Sequence, residues 1–344
     1  MRLDFLLVAG LLLATGCSQS ARDDGKLTLA RDGRAFYALA QSGDATPTAA
    51  FAVRELKRHL DEATGADFPV LTNAAPAAGV KTIEVGTARA RQIVGAARAD
   101  ALGREACAVM AKDGTIAICG GGDAGVLYGV YETLERFGDI IFFGDIRTHV
   151  PKKDAFVIPE GFRDAQQPAF LGRSTTWKEV RTNIVSRTRL RFNLHRRGTV
   201  VEPKFGSEEI KYVKEFGDSH TFRDLVPPDE YFAKHPEYFS YLNGIRRKDK
   251  SQLCLTNPDV LDIVSKKCIA ALDADPSANA VGVSQNDWRN QCRCEKCAAI
   301  DKAEGSSSGT MFRFVNAVAE RVMETHPDKW VQTLAYQYTR EPPK

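Results

Sequence analysis

The sequence has no marked excess of charge of either sign and only one long hydrophobic run. Lys and Arg total 47 against 44 Asp and Glu, a formal net charge of +3 over 344 residues. Because nucleic-acid-binding proteins concentrate positive charge, this near balance disfavours a nucleic acid as partner. The basic stretch Arg187 to Arg197 could contact an anionic ligand, but it fits a solvated helix face better. Beyond the amino-terminal run, no segment is apolar for long enough to cross a membrane.

That run indicates export. Phe5 to Leu13 is too short for a permanent transmembrane helix, and small residues lead from it into Cys17. We interpret residues 1–17 as a lipoprotein signal peptide that leaves Cys17 as the lipid-bearing first residue. Ala14 stands where leucine is usual, so a signal peptide without lipidation remains open. The residues after the cysteine, Ser18-Gln19, favour the outer membrane, facing the periplasm or the cell surface.

Residues 26–150 predict a small α/β sandwich in which helices pack on a mixed sheet. Thr46-Pro47 opens a helix that Gly65 ends. Lys81 to Gly86 (KTIEVG) reads as a strand. The inward positions of the helix, at helical spacing, are Ala49, Ala52, Val53, Leu56, Leu60 and Ala63.

A hairpin is predicted next, from Ala106 to Cys119, with its turn at Lys112 to Gly114. Counting outward from the turn sets Cys107 opposite Cys119. Because an exported protein can form disulfides, these two cysteines could form a bridge or remain two buried thiols.

A glycine-rich motif, Gly120 to Gly125, formally satisfies the G-x-G-x-x-G pattern of dinucleotide sites. It follows an antiparallel hairpin, however, and Asp123 would repel a pyrophosphate. Asp123 therefore predicts a helix N-cap, with the helix ending at Gly138. The inward stripe of that helix is Leu127, Val130, Tyr131 and Leu134.

Three segments of this domain resemble the non-catalytic amino-terminal domain that β-hexosaminidases and α-glucuronidases share. They are Ala52 to Gly65 (AVRELKRHLDEATG), Ile83 to Gly86 and Gly120 to Gly138 (GGGDAGVLYGVYETLERFG). In those enzymes the domain precedes a (β/α)8 barrel, so the resemblance implies a barrel after this domain.

Residues 151–168 are interpreted as a linker, and residues 169–344 alternate between strand and helix patterns. The predicted strands are Ala169 to Thr176, one ending near Asp218 to His220, Gln252 to Thr256, Ala280 to Gln285 and Val331 to Tyr338. One predicted helix starts at Asn257-Pro258 and turns Val260, Val264, Cys268 and Leu272 inward. Another spans Gly309 to Thr325 and turns Phe312, Val315, Ala319 and Val322 inward.

A barrel of eight units needs roughly 200 to 250 residues or more. Residues 169–344 are too few, and the chain stops directly beyond a predicted strand. We therefore expect a partial (β/α) barrel that is truncated after about five strands, because the remaining length is too short for eight units. The alternative is an open five-stranded sheet.

This second region resembles a bacterial domain of unknown function that follows the hexosaminidase-like domain in many exported lipoproteins. The residues that carry the resemblance are Tyr231-Phe232, His235 to Phe239 (HPEYF), Leu253 to Pro258 (LCLTNP), Ser284 to Asp287 (SQND), Cys292, Cys294, Cys297, Phe314 to Asn316 and Leu334 to Tyr336. The domain order relates the chain to glycoside hydrolases, but the resemblance implies no settled substrate.

Asp287 is the leading catalytic candidate. It follows the predicted strand Ala280 to Gln285, and enzymes with parallel sheets keep their reactive groups at the carboxyl ends of strands. Glycoside hydrolysis normally needs two carboxyl groups, and the second could be Glu341, Asp218 or a residue beyond the chain. Family 20 hexosaminidases carry an adjacent Asp-Glu pair at this place, whereas here the pair is Asn286-Asp287. A turn capped by Asp287 is the structural alternative.

His220 could bind a hydroxyl or a uronate, or serve as acid or base; a loop histidine with satisfied hydrogen bonds is the alternative. The predicted substrate-binding residues are Trp177, Asn286, Trp288, Tyr336 and Tyr338. The four aromatic side chains lie near strand ends, where their faces could stack on sugar rings. Core packing explains each aromatic residue alone equally well.

Cys292, Cys294 and Cys297 form a C-x-C-x-x-C motif, and Cys254 ends a neighbouring predicted strand. Four thiolates at the edge of the sheet would suit structural zinc. Disulfides compete in an oxidising compartment, although cysteines two apart bridge only under strain, and free thiols remain a third state. No catalytic cofactor is required.

These patterns predict an exported, lipid-anchored glycoside-hydrolase-like protein that acts on polysaccharide or glycan through acid/base carboxylates. The alternative is a non-catalytic carbohydrate-binding surface lipoprotein. The expected partners are a carbohydrate and, through Cys17, a membrane.

Overall fold

A computed structural model describes residues 22–23, 25–73, 79–144, 147–194, 202–206 and 210–344. They divide into two compact units. The first comprises the described residues up to Pro168 together with Pro203–Gly206, and the second comprises the remainder from Ala169 to Lys344. The predicted signal peptide, with Cys17, lies outside the described residues.

The first unit contains a mixed sheet and smaller antiparallel sheets. Its strands are β1 (Arg22–Asp23), β2 (Lys26–Arg31), β3 (Arg34–Ala35), β4 (Tyr37–Gln41), β5 (Val70–Thr72), β6 (Lys81–Val85), β7 (Cys107–Lys112), β8 (Thr115–Gly120), β9 (Ile141–Phe142), β10 (Thr148–His149), β11 (Ala155–Pro159) and β12 (Arg163–Gln166). The largest sheet has the order β12-β7-β8-β6-β4-β5. In it β5, β4, β6 and β8 run parallel, whereas β7 and β12 are antiparallel to their neighbours.

The helices of this unit are α1 (Pro47–Thr64), α2 (Ala88–Val94), α3 (Ala96–Asp100) and α4 (Asp123–Gly138), and a 3-10 turn η1 covers Pro203–Phe205. The predicted start and end of α1 are confirmed, because the Thr46 hydroxyl accepts from the Ala49 N–H at 3.2 Å and Gly65 ends the helix at φ 70°. Asp123 was predicted to be the N-cap of α4, but it is the first residue of that helix. Gly122 is the N-cap, and a Cβ there would lie 2.9 Å from the Arg104 carbonyl oxygen.

The hairpin β7–β8 turns at Asp113-Gly114, inside the predicted turn, but the cysteine pairing predicted from it is wrong. Cys107 pairs with Gly120 across the strands, and Cys119 pairs with Ala108. Cys107 therefore faces α4, beside Gly129, while Cys119 faces the opposite side. Because a strand alternates its side chains between faces, the two thiols cannot bridge. Burial raises the pKa of the Cys119 thiol.

Residues 151–168 are not a linker. They contain β11, which pairs antiparallel with β2, and β12, which pairs antiparallel with β7. The apolar residues that led to the linker interpretation belong to this sheet, and Phe156 and Ile158 are fully buried. The first unit therefore extends to Pro168.

The second unit is mainly helical. Its elements are α5 (Lys178–Thr182), α6 (Ile184–Arg189), α7 (Phe222–Leu225), α8 (Pro228–Tyr231), η2 (Pro236–Tyr238), β13 (Tyr241–Leu242), β14 (Ile245–Arg246), α9 (Pro258–Ala274), β15 (Ala280–Gly282), α10 (Glu295–Glu304), α11 (Ser308–Met323), β16 (Trp330–Gln332) and η3 (Gln337–Thr339). None of the helices in the described ranges combines the length and the apolar character that crossing a membrane requires.

The core of this unit lies between α9, α11 and β15. The four predicted inward residues of α9 are buried, and the Asn257 side chain caps the helix as expected. In α11, Val315 and Val322 are buried as predicted, but Phe314 and Val318 occupy the core instead of Phe312 and Ala319.

The described residues do not form a barrel or a five-stranded sheet. Only two predicted strands appear, as β15 and β16, which pair in parallel. Tyr212 adds a parallel bridge to Ala280, and Leu253 adds an antiparallel bridge to Phe239. Residues 169–176 form neither strand nor helix. The segment 252–256 cannot extend as a parallel strand because the chain turns at Cys254, whose carbonyl accepts from the Asn257 N–H at 3.0 Å.

The basic stretch is not a solvated helix face. Arg187 and Arg189 lie on α6 with buried side chains, 4% and 5% exposed. Both make polar interactions, which is the condition for burying a guanidinium. Residues 195–197 of the stretch lie outside the described residues.

Candidate functional site

The ends of β15 and β16 bring the candidate residues together. Because the two strands are parallel, their carboxyl ends open on one edge. The Val283 N–H donates to the Gln332 carbonyl at 2.8 Å, which extends the pairing one step further. Residues 284–288 leave the edge from β15, and residues 333–339 leave it from β16.

Asp287 lies at this edge with its side chain exposed. The Tyr336 hydroxyl and the Gln337 amide both donate to its Oδ1 at 2.9 Å. Within the described part of the chain, its Oδ2 has no hydrogen-bond partner. Two donors thus fix the carboxylate through one oxygen and leave the other oxygen open as an acceptor.

The buried Gln285 side chain positions those donors. Its Nε2 donates to the Tyr336 carbonyl at 2.7 Å, and its Oε1 accepts from the Thr339 hydroxyl at 2.7 Å. Gln337 has φ 51°, the left-handed region that a glutamine rarely adopts. The turn that carries both donors is therefore held in place from inside the unit.

His220 lies near Tyr336. Its Nδ1 lies 2.9 Å from the Gln285 carbonyl, and its ring centroid lies 5.8 Å from that of Tyr336. Because a carbonyl only accepts, Nδ1 is the donor, and Nε2 remains available to a ligand. His220 also has φ 59°, and a strained backbone of this kind is frequent at functional sites.

The two residues that could supply a second carboxyl, Asp218 and Glu341, have different surroundings. Asp218 is exposed, and its carbonyl accepts from the Ser284 hydroxyl at 2.8 Å, which ties it to the edge. Burial, followed by the Asp218 charge, raises the pKa of Tyr212 to about 12. Glu341 is exposed, and its carbonyl accepts from two serine hydroxyls near the start of α11. Neither carboxylate hydrogen bonds to Asp287 or its donors in the described residues.

The Asn286 side chain hydrogen bonds to two neighbouring segments. Its Nδ2 donates to the Ser251 carbonyl at 2.9 Å, and its Oδ1 accepts from the Arg223 N–H at 3.1 Å. Gln252, 1% exposed, binds the same loop from inside: Nε2 donates to the carbonyls of Asn286 and Trp288, and Oε1 accepts from the Asn286 N–H. The Asn286 side chain therefore positions the Asp287 loop.

The predicted aromatic residues separate into three positions. Trp288 and Tyr336, 40% and 39% exposed, flank Asp287, and the Lys250 ammonium lies 5.4 Å from the Trp288 ring centroid. Trp177, 57% exposed, precedes α5, and none of the hydrogen bonds or ring contacts in the described ranges joins it to Asp287. Tyr338 is half-buried beside Cys292 and Cys297, and burial raises its pKa.

The four predicted cysteine ligands meet in space. The Sγ atoms of Cys254, Cys292, Cys294 and Cys297 all lie within 4.8 Å of one another. Cys294 is half-buried and the others are buried. Hydrogen bonds from the Cys292 and Cys297 thiols lower the pKa of the Cys254 thiol. This donor set is the arrangement that a tetrahedral metal ion requires.

Two site residues, Gln252 and Gln337, were missed by sequence reasoning. Gln252 opens the apolar run QLCLT, and a polar residue there is a signal for a buried hydrogen-bonding role. Gln337 carries no such signal, because its partner Asp287 is 50 positions away.

Two family models match the chain. One described as "Domain of unknown function (DUF4838)" matches residues 142–344, and one described as "Glycosyl hydrolase family 67 N-terminus" matches residues 29–133. They confirm the two resemblances seen in the sequence, a glycosidase-type amino-terminal domain followed by a domain of unknown function. No curated protein sequence matches the chain.

Solved structures with low identity are also similar. A family GH115 4-O-methyl-α-glucuronidase with specificity for decorated arabinogalactans is 13% identical, with a TM-score of 0.45 over 90% of this chain and 43% of that one. The Streptomyces plicatus N-acetyl-β-hexosaminidase is 15% identical, with a TM-score of 0.40 over 92% of this chain and 66% of that one. The Flavobacterium johnsoniae chitobiase is 14% identical, with a TM-score of 0.40 over 90% and 50%. The chain thus spans less than half of the first of these enzymes.

Proposed function

This chain belongs to the family of the domain of unknown function DUF4838, and from that premise we propose that it is a glycoside-hydrolase-like protein acting on polysaccharide or glycan at the Asp287 edge. The match of its first unit to the glycosyl hydrolase family 67 amino-terminal domain supports this class of activity. We extend the proposal to export and to lipid anchoring at Cys17, with the chain at the outer membrane.

The observation that carries the proposal is the Asp287 carboxylate, anchored through Oδ1 by Tyr336 and Gln337 and open at Oδ2, with the exposed Trp288 next to it in the chain. A sugar hydroxyl can donate to the open oxygen. The apolar C–H face of the same sugar can stack on Trp288 or Tyr336. A charged acceptor beside aromatic faces therefore suits a neutral, hydroxyl-rich ligand.

Hydrolysis at this edge would use Asp287 as the acceptor of a proton from water. Water adds to the sugar carbon, the glycosidic C–O bond breaks, and the leaving oxygen takes a proton from a second group. Asp218 lies at this edge, where its backbone carbonyl accepts from the Ser284 hydroxyl, and His220 offers Nε2 near Tyr336. Glu341 is the remaining candidate from the sequence.

A non-catalytic carbohydrate-binding function is the second candidate. One observation favours it: Asp218 and Glu341, the candidates for the protonated second carboxyl, are exposed, whereas the general acid of a glycosidase has its pKa raised in an apolar pocket. Binding needs only the acceptor oxygen and the aromatic faces. It needs no second carboxyl.

The test is to assay the full chain on a panel of aryl glycosides and complex glycans, beside Asp287→Asn. For a hydrolase, we expect turnover to fall by about a hundredfold or more in the variant while the circular dichroism spectrum is unchanged. Asp328→Asn, which alters another exposed carboxylate of the second unit, is the matched control and should retain full activity.

Turnover that survives Asp287→Asn would remove Asp287 from the mechanism. Glycan binding measured by calorimetry, without turnover, would support the binding function. Neither binding nor turnover across the panel would contradict both functions.

A further inference from the structure

We propose that Cys254, Cys292, Cys294 and Cys297 bind one structural zinc ion as four thiolates. Cys254 Sγ lies 3.7 Å from Cys294 Sγ and 4.0 Å from Cys297 Sγ. A tetrahedral ion with Zn–S bonds of about 2.3 Å sets its sulfurs about 3.8 Å apart. These two spacings match the edge of a zinc tetrahedron, and all four sulfurs lie within 4.8 Å of one another.

Disulfides do not fit this arrangement. A disulfide brings two sulfurs to about 2.05 Å and would divide the cluster into pairs. Here each sulfur lies within 4.8 Å of the other three, and none of the four is bonded to another. Cys292 and Cys294 are only two positions apart, which strains a bridge between them.

The donor set selects the ion. Four sulfur ligands in a tetrahedron are typical of zinc or of iron–sulfur centres. An iron–sulfur cluster places several irons and sulfides between its thiolates, which would hold them further apart than this cluster does. Since four protein thiolates leave no open position on zinc, the role we infer is structural and not catalytic.

The surroundings supply a second, independent argument. Four thiolates and one zinc ion carry a net charge of −2, and the Arg246 Nη1 lies 3.8 Å from Cys292 Sγ. The same Nη1 donates to the Phe239 carbonyl at 2.7 Å, which holds the guanidinium in place. The Tyr241 N–H donates to Cys292 Sγ at 3.3 Å, and the Thr256 hydroxyl lies 3.3 Å from Cys297 Sγ. Such donors orient the thiolates of metal sites.

Helix α10 adds to this field. Cys294 is its N-cap and Cys297 lies in its first turn. The N-terminal end of a helix carries a partial positive charge that stabilises nearby anions. Both thiolates are therefore placed where negative charge is favoured.

The ion would join the segment around Cys254 to residues 292–297, to which the β13–β14 hairpin is hydrogen bonded. Cys254 follows Ser251 and Gln252, which bind Asn286, and Cys292 follows the Asp287 loop. The Tyr241 carbonyl of the β13–β14 hairpin accepts from the Arg293 N–H at 2.8 Å. Zinc would thereby hold the Asp287 loop in position without contacting the bound carbohydrate.

The experiment is elemental analysis of the full chain, purified without added metal or chelator, by inductively coupled plasma mass spectrometry. We expect one zinc ion per chain and no stoichiometric iron. In Cys294→Ser we expect zinc to fall roughly tenfold or more, whereas Cys294→His, which keeps a zinc ligand, should retain the ion. Cys268→Ala is the matched control, because Cys268 is a buried thiol outside the cluster.

The wild-type measurement stands even if a variant fails to fold. Iron in place of zinc would overturn the assignment of the ion. Intact-mass analysis that shows disulfides among the four cysteines would overturn the site, as would a folded chain that contains less than about a tenth of an equivalent of zinc. Full retention of zinc by Cys294→Ser would exclude Cys294 as a ligand.

Discussion

Gln252 shows how one buried side chain positions the candidate site. Its amide nitrogen and oxygen together satisfy two carbonyls and one N–H of the Asp287 loop, at distances of 2.6 to 2.9 Å. Removing Gln252 leaves these partly buried groups without that hydrogen bond, and a fully buried group of this kind costs about 1 to 3 kcal/mol. Gln252 therefore contributes to both the stability of the unit and the position of Asp287.

We expect Gln252→Ala to lower the free energy of unfolding by about 2 to 4 kcal/mol, because three partly buried backbone groups lose their partner at once. Asn290→Ala, in the same loop, is the control: Asn290 donates one hydrogen bond, to the Lys250 carbonyl, and should cost about 1 kcal/mol or less. Urea unfolding followed by circular dichroism measures both. Equal losses in the two variants would contradict the role of Gln252.

For single residues, the sequence predicted those that lie near the ends of strands. It did not predict those whose role depends on hydrogen-bond partners far away in the chain. Asp287, Trp288 and Tyr336 follow strand patterns, and the structure brings them together at one edge. Gln252 and Gln337 act through partners 34 to 50 positions away, and no local pattern encodes such a distance. The candidate site was thus predictable in its acid and its aromatic rings, but not in its supporting amides.

Among the elements, helices were easier to predict than strands. The start of α9 is set by the Asn257 side chain and by Pro258, both local signals. A strand depends on a neighbour: the segment 252–256 has strand-like residues, but the Cys254 N–H donates to the Tyr238 carbonyl at 2.8 Å and the chain then turns toward the cysteine cluster. The described residues do not form the expected barrel, whose strand pairings depend on partners that are distant in sequence.

The elements around the cysteine cluster should loosen when zinc is removed. Chelation under conditions that elemental analysis shows to remove the ion should increase hydrogen exchange in the β13–β14 hairpin and in residues 251–256 and 284–297. The physical reason is that metal binding and local folding are coupled. Helix α1, in the first unit, is the internal control and should keep its protection. Unchanged exchange after verified zinc loss would contradict a structural role.

For the whole molecule, the proposed export raises the question of how the four thiols of the cysteine cluster would persist in an oxidising compartment. Disulfides form in oxidising compartments, yet in the described part of the chain Cys119, Cys268 and the four cysteines of the cluster form none. Cys107, Cys119 and Cys268 are buried, and the other four lie in the cluster. Zinc would keep those four thiolates from oxidation in an exported protein. The two proposals are therefore compatible.

Lipid anchoring at Cys17 gives the prediction at this scale. In a Gram-negative host, we expect the wild-type chain to partition into the detergent phase of Triton X-114, with a mature amino-terminal peptide that begins at Cys17 and carries the mass of acyl chains. Cys17→Ser should leave that phase, because a polypeptide without acyl chains has no comparable affinity for the membrane. Cys268→Ala retains Cys17 and should partition as the wild type does. An unmodified peptide at the mature amino terminus, together with equal partition of Cys17→Ser and wild type, would contradict the anchor and favour a signal peptide that is removed without lipidation.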